Sequence, residues 1–295
     1  MINLRNGDTL PSVALIQAML NATSDGAILD VDGIFGNNTR NRVKAFQEFN
    51  NIVGTGILDE QTWSCLNSRF RQQYQIRDIV DMSDEAILSI ARDRLSELGQ
   101  VPITLQNTSG GVYRIVSELS RAGISNQNLY ILRLQAHGNS GSIAVSYGTG
   151  CHVYYGMINQ EFNNDWQACG MARQNASQAQ LDSVSDVISR SSLSSSALLL
   201  PDVRSALAPL RNMFSPYGVI ELHGCQVGRG QRGEQFLQDL SNFLGVPAVA
   251  SKAKQYAERP IRFRGRKVVK YPSGYSARSW ADSRPVLQGV SNLMS

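Results

Sequence analysis

Leu129-Tyr130-Ile131-Leu132-Arg133-Leu134-Gln135-Ala136 runs straight into His137-Gly138, and Tyr217-Gly218-Val219-Ile220-Glu221-Leu222-His223 runs into Gly224-Cys225. Both are short, mainly apolar runs that end at glycine, the pattern of strands buried on both faces. Around them helical and extended patterns alternate: a helix over 84–98, a strand over 101–105 and a helix over 111–122. Such alternation predicts parallel βαβ units in an α/β sheet. Open parallel sheets carry their chemistry just past the carboxyl ends of the strands, so one histidine and one cysteine are delivered to the same edge.

A thiolate can attack an acyl carbon while a nearby imidazole handles the proton of the leaving amine. Cys225 is therefore the candidate nucleophile and His137 the candidate acid/base. Alternation along the second strand puts Glu221 and His223 on the same face as Cys225. On the plainer reading these two satisfy each other; on the other they tune the thiol, with His223 the reserve candidate. Arg229 and Arg232 are specificity candidates by proximity to Cys225 alone.

The two strand ends resemble the caspase-like fold of cysteine peptidases, in which one strand ends in His-Gly and another in Ala- or Gly-Cys. The resemblance runs from about residue 100 to 272 and takes in Leu222-His223-Gly224-Cys225-Gln226-Val227, Gly230-x-x-Gly233-x-x-Phe236-Leu237 and Pro247-Ala248-Val249-Ala250-Ser251. It is closer still to bacterial caspase-like domains of unassigned role. It implies the backbone N–H groups of Gly138 and Cys225 as oxyanion donors. No cofactor is expected.

Gln167-Ala168-Cys169-Gly170 imitates the caspase signature Q-A-C-[RQG]-G but breaks at Met171, and polar Asn163-Asn164-Asp165-Trp166 precedes it in place of a strand. Cys225 is preferred. Cys151, His152 and Cys169 leave two readings open: a disulfide between 151 and 169 within an insertion at about 150–215, or a zinc site borrowing His137 or His223. No C-x-x-C or H-E-x-x-H accompanies them, so no metal is expected. The serine-rich run at 183–196 reads as a mobile loop or frayed helix end.

Before the sheet the pattern is purely helical. Val13, Ile16, Met19 and Leu20 share one face of a helix that Ser12 could cap; a second helix runs from about Asn38 to Phe49 and a third begins near Asp59. The turns between them echo each other, Gly33-Ile34-Phe35-Gly36-Asn37-Asn38-Thr39 and Gly56-Ile57-Leu58-Asp59-Glu60-Gln61-Thr62. Through Asp32-Gly33-x-Phe35-Gly36-x-x-Thr39, Val43-x-x-Phe46-Gln47 and Thr62-Trp63-x-x-Leu66, residues 4–67 resemble the peptidoglycan-binding domain of bacterial wall hydrolases. The resemblance implies a three-helix bundle that binds the peptide stem or glycan. Phe35, Phe46 and Trp63 read as core, and Asp32, Thr39 and Gln47 as ligand contacts. At Val53-Gly54-Thr55-Gly56 the sequence departs from the family's second Asp-Gly.

The fold class expected is α+β overall: a three-helix domain over 1–67, a linker over 68–83 and an α/β caspase-like domain with a mostly parallel sheet over 84–295. In 295 residues, 42% are hydrophobic and 18% charged, against about 25% charged in a typical globular domain, which excludes a disordered chain. No apolar run approaches the roughly 18 residues of a spanning helix. Residues 1–67 carry 4 basic and 7 acidic side chains, whereas residues 252–284 carry 10 and 2, which favours an anionic partner. Ile261–Tyr271 alternates apolar and basic residues around Gly265 and predicts a hairpin with one solvated face, able to engage stem carboxylates. No nucleic-acid partner is expected, since no other nucleic-acid motif accompanies the charge.

The function these features imply is a peptidoglycan-targeted cysteine hydrolase cleaving an amide bond. The alternatives are a protease acting on proteins or on itself, and a non-catalytic wall-binding protein. Met1-Ile2-Asn3-Leu4-Arg5 shows no secretory signal pattern. The expectation is therefore synthesis in the cytoplasm and action at the wall, as an antibacterial effector of a type VI or similar secretion apparatus with a cognate immunity protein, or as a lysin.

Overall fold

The computed structural model describes residues 2–23, 28–82, 85–105, 111–145 and 192–288. In chain order its helices are α1 (Pro11–Thr23), α2 (Asn37–Phe49), α3 (Glu60–Asn67), α4 (Glu85–Glu97), α5 (Ile115–Arg121), α6 (Pro201–Leu207), α7 (Leu210–Met213), α8 (Gly230–Leu244) and α9 (Ala277–Asp282). Its strands are β1 (Gln75–Asp81), β2 (Ile103–Leu105), β3 (Leu129–Gln135), β4 (Gly138–Asn139), β5 (Ser142–Ala144), β6 (Ser192–Ser194), β7 (Phe214–His223), β8 (Ala248–Ser251) and β9 (Lys267–Lys270). The main sheet has the order β2-β1-β3-β7-β8-β9, parallel through β8 and antiparallel at β9. Three helices followed by a mostly parallel sheet is the α+β arrangement the sequence predicts.

β3 is buried at every position, as its unbroken apolar run requires. Leu132, Leu134, Ile220 and Leu222 point into a core shared with α5, α6 and α8. Tyr130, Ile131, Tyr217 and Val219 point the other way, into a core shared with α1, α3 and α9. The N-terminal helices are thus one of the two layers that cover the sheet.

This arrangement corrects the expected linker. Residues 75–81 form β1, between β2 and β3, and Phe70, Tyr74 and Ile76 are buried in the core that joins the helices to the sheet. The contact is specific. Trp63 stacks on Tyr130 at 5.3 Å, and the Tyr130 hydroxyl donates to the carbonyl of Ser12. Asp8 meets Arg262 at 3.3 Å and Lys267 at 3.6 Å. An aromatic pair adds about 1 kcal/mol beyond the area it buries.

α1 is buried on all sides from Pro11 to Leu20, because one side meets α2 and another meets β7. Ser12 therefore lies inside the first turn and caps nothing. The predicted insertion also changes. Leu193, Leu198, Val203, Leu207, Leu210 and Met213 belong to the main core, so residues 192–213 are part of the crossover from β3 to β7. Ser192–Ser194 is a strand paired with β5, where the sequence suggested a mobile loop. Cys151, His152, Cys169 and the rest of that expectation lie outside the described residues.

The predicted hairpin around Gly265 forms only in part. Gly265 turns the chain at φ +74°, a conformation that favours glycine, and β9 pairs with β8 as an edge strand. Residues 261–264 form no strand and bring Phe263 against His223.

Candidate active site

β3 and β7 lie side by side, with Gln135 opposite His223 as the last paired residues. The chains leaving them, Ala136-His137-Gly138 and Gly224-Cys225, therefore emerge together at the carboxyl edge. Their backbones touch: a Cβ placed on Gly138 would lie 2.9 Å from Gly224 Cα and 2.5 Å from Val227 Cγ2. Two glycines at this contact let the His137 and Cys225 segments approach closer than side chains would allow. Both His137 and Cys225 are half-buried, open enough to meet a ligand.

Cys225 sits at the start of a tight turn. Gln226 adopts φ +58°, a conformation that costs a non-glycine residue energy. The turn is held by the Gln226 N–H donating to Ala253 O at 2.9 Å and the Gly228 N–H to Ser251 O at 3.0 Å. Cys225 is a free thiol, and the Gln255 N–H donates to its Sγ at 3.4 Å. The Cys225 N–H donates to no backbone carbonyl among the described residues. α8 begins at Gly230, and Gly233 packs so closely on Val227-Gly228 that a Cβ there would lie 2.5 Å from Val227 O.

On the helix-covered face of the sheet, Asp78, Arg133 and Glu221 stand in register on β1, β3 and β7. Arg133 Nε donates to Glu221 Oε2 at 2.8 Å, and its Nη1 lies 3.6 Å from Asp78 Oδ2. The far oxygen of Asp78 has no hydrogen-bond partner. Glu221 Oε2 also lies 3.2 Å from His223 Nε2, and the His223 ring stacks on Phe263 at 4.1 Å. Burial alone would raise the Glu221 carboxyl, but the Arg133 charge and the His223 contact outweigh it and hold the group down, at about 2. Burial likewise works against the Arg133 charge, and Asp78 and Glu221 more than restore it. His223 is thus held by Glu221 and Phe263, while the sulfur of Cys225 is met by Gln255.

The expected peptidoglycan contacts are corrected by burial. Gln47 is 0% exposed and Thr39 2%. Gln47 Nε2 donates to Thr55 Oγ1, Ile57 O and Thr62 Oγ1, and its Oε1 accepts from the Gly56 N–H at 2.8 Å. Gln17 does the same one repeat earlier: its Nε2 donates to Asp32 Oδ1, Ile34 O and Thr39 Oγ1, and its Oε1 accepts from the Asp32 and Gly33 N–H groups. Each glutamine staples one turn of the pseudo-repeat. Thr55 takes the place of Asp32 in the second copy, accepting from the Ile57 N–H as Asp32 accepts from Ile34, which explains the missing second Asp-Gly. Thr39 and Gln47 therefore hold the fold. Asp32 is only half-buried but spends Oδ1 on the turn.

Arg229 and Arg232 are exposed beside the Cys225 turn. Arg232 lines a groove of about 600 Å³ with Ser140, Ser142, Ser194 and Gln235. Sequence reasoning missed Gln17, Gln255 and the Asp78–Arg133 pair. The signal for Arg133 was present, a charge inside an apolar run; Gln255 gave none, since it lies 30 residues beyond Cys225.

Comparison with known proteins adds three findings. Residues 9–66 match the family described as "Putative peptidoglycan binding domain". Residues 174–256, which include Cys225, match a "Domain of unknown function (DUF4347)". A crystal structure of Burkholderia AP3 phage endolysin is similar at 22% identity over 72% of this chain and 77% of that one, with a TM-score of 0.22. Among the described residues no group of His, Cys, Asp and Glu is placed to hold a metal, and no helix is long and apolar enough to cross a membrane.

Proposed function

We propose that this chain is a cysteine hydrolase directed at the bacterial cell wall, with a caspase-like catalytic part that cleaves an amide bond in peptidoglycan stems or cross-links. The observation that carries the reading is the placement of His137 and Cys225 just past the ends of adjacent parallel strands, with Gly138 packed on Gly224. The family match at residues 9–66 supports the wall as the destination.

On this reading His137 takes the proton of the Cys225 thiol, the thiolate attacks the amide carbonyl carbon, and the oxygen gathers negative charge near the N–H groups of Cys225 and Gly138. As the C–N bond breaks, His137 gives a proton to the leaving amine. Water then attacks the thioester, returning the acid fragment and the free thiol. The half-buried site keeps the nucleophile partly shielded, and the Gln226 turn presents it at the sheet edge. The protein would act as an antibacterial effector or lysin.

The test is the soluble product profile, by mass spectrometry, of purified sacculi incubated with the intact protein and with Cys225→Ala. Muropeptides released only by the intact protein are expected. Identical profiles would overturn the wall-hydrolase reading. The second reading is a protease acting on proteins, with the N-terminal helices serving chiefly as a layer of the fold. The buried seam between those helices and the sheet favours it.

A further inference from the structure

We propose that the arginine-lined pocket where the N-terminal helices meet the 256–264 segment binds the carboxylates of an acidic peptide. The pocket has a volume of about 680 Å³ and is lined by Arg5, Arg259, Arg262 and Arg264 together with Tyr256 and Phe263. Neither part of the chain makes it alone, since Arg5 comes from before α1 and the other three from the stretch between β8 and β9.

The four cations are not equivalent. Arg262 is committed, donating to Asn3 Oδ1 at 3.0 Å and Asp8 Oδ1 at 3.3 Å. Arg264 lies over the Tyr256 ring at 4.4 Å and donates to its hydroxyl. Arg5 and Arg259 form no ion pair among the described residues. Like charges gathered in one concave site repel each other, and an anion relieves that repulsion. A guanidinium fork matches a carboxylate in plane, and the Tyr256 ring holds the fork of Arg264 in place.

Location supplies the link to chemistry. Gln255, whose N–H reaches the Cys225 sulfur, directly precedes Tyr256. Gln255 also accepts from the Arg264 N–H at 2.9 Å, so one residue meets both the thiol and the wall of the pocket. Glu258 also lines the pocket and suits the ammonium of a peptide, a group that inorganic phosphate lacks. The role as a substrate site rests on the proposed hydrolase; the binding itself does not.

The experiment is calorimetric titration of the full chain carrying Cys225→Ala with tri-glutamate, with tri-alanine and with inorganic phosphate. Tri-glutamate should bind and tri-alanine should not. Arg5→Gln and Arg259→Gln should each weaken tri-glutamate about tenfold, the scale of one charge-assisted contact. Arg259→Lys, which keeps the charge and loses the fork, should fall between. Arg278→Gln, on exposed α9, should change nothing and serves as the control. Wild-type affinity in both Arg5→Gln and Arg259→Gln would overturn the proposal, as would phosphate displacing tri-glutamate at equal concentration. A protein that binds tri-glutamate this way but releases no muropeptides would leave the site standing and remove only the proposed hydrolase.

Discussion

Arg133 donates to Glu221 at 2.8 Å in the middle of the sheet, two residues before His223 and four before Cys225. The pair ties β3 to β7, the two strands whose ends carry the candidate catalytic residues. A buried pair of this kind adds little stability compared with an apolar pair, but breaking it strands a charge.

Arg133→Met should therefore cost about 3–5 kcal/mol, since both Asp78 and Glu221 lose their buried partner. Adding Glu221→Gln should recover part of that cost. Urea unfolding of the single and double variants measures both; equal stability of Arg133→Met and wild type would contradict the ladder's role.

The Glu221 carboxyl also sets an acid limit. Its value is lowered in the fold from 4.5 to about 2, so its stabilising contribution is complete above pH 4.5 and is lost as the pH falls towards 2. Chemical denaturation at a series of pH values should show stability falling through that window. Glu221→Gln should be less stable at pH 7 and flatter below 4.5.

The seam between the N-terminal helices and the sheet predicts cooperative behaviour. Trp63 is buried against Tyr130, and Trp63→Ala should cost about 3–5 kcal/mol. Calorimetry of the wild type should show one transition involving both parts. Two transitions, with only the first moved by Trp63→Ala, would restore the picture of tethered modules.

At the strand ends, Gly138→Ala should destabilise the protein by about 1–3 kcal/mol, because the new methyl meets Val227 and the Gly224 backbone. Relief by moving the segment displaces His137, so under the proposed mechanism hydrolysis should fall by more than stability explains. Comparing turnover on sacculi with the melting temperature separates the two effects.

Gln47→Leu should cost about 1–3 kcal/mol by stranding the Gly56 N–H, while the Thr62 hydroxyl keeps Asp59 as its acceptor. Sedimentation with sacculi well below the melting temperature should show unchanged wall binding. Weakened binding by a fully folded variant would return Gln47 to the ligand site.

Much of this molecule is local, and local features are legible in a sequence. The periodicity of α1 to α3, the apolar runs of β3 and β7, and the glycines at their ends depend on residues a few positions apart, so fold class and the His137–Cys225 edge follow from the chain alone. The family-type turns were legible too, but the roles of Gln47 and Thr39 were not, because a polar residue inside a repeat looks the same whether it faces a ligand or a backbone turn. Gln17 settles the matter only when its contacts are seen. The same holds for residues 68–83, polar enough to pass for a linker until β3 and β2 supply partners for β1. Contacts between distant segments were decided by packing: Trp63 on Tyr130, Gln255 on Cys225, and Arg5 beside Arg259. The sequence determined the fold class and where β3 and β7 end; the tertiary structure decided which polar stretches pair as strands and which polar groups are spent holding the fold, because both depend on partners far away along the chain.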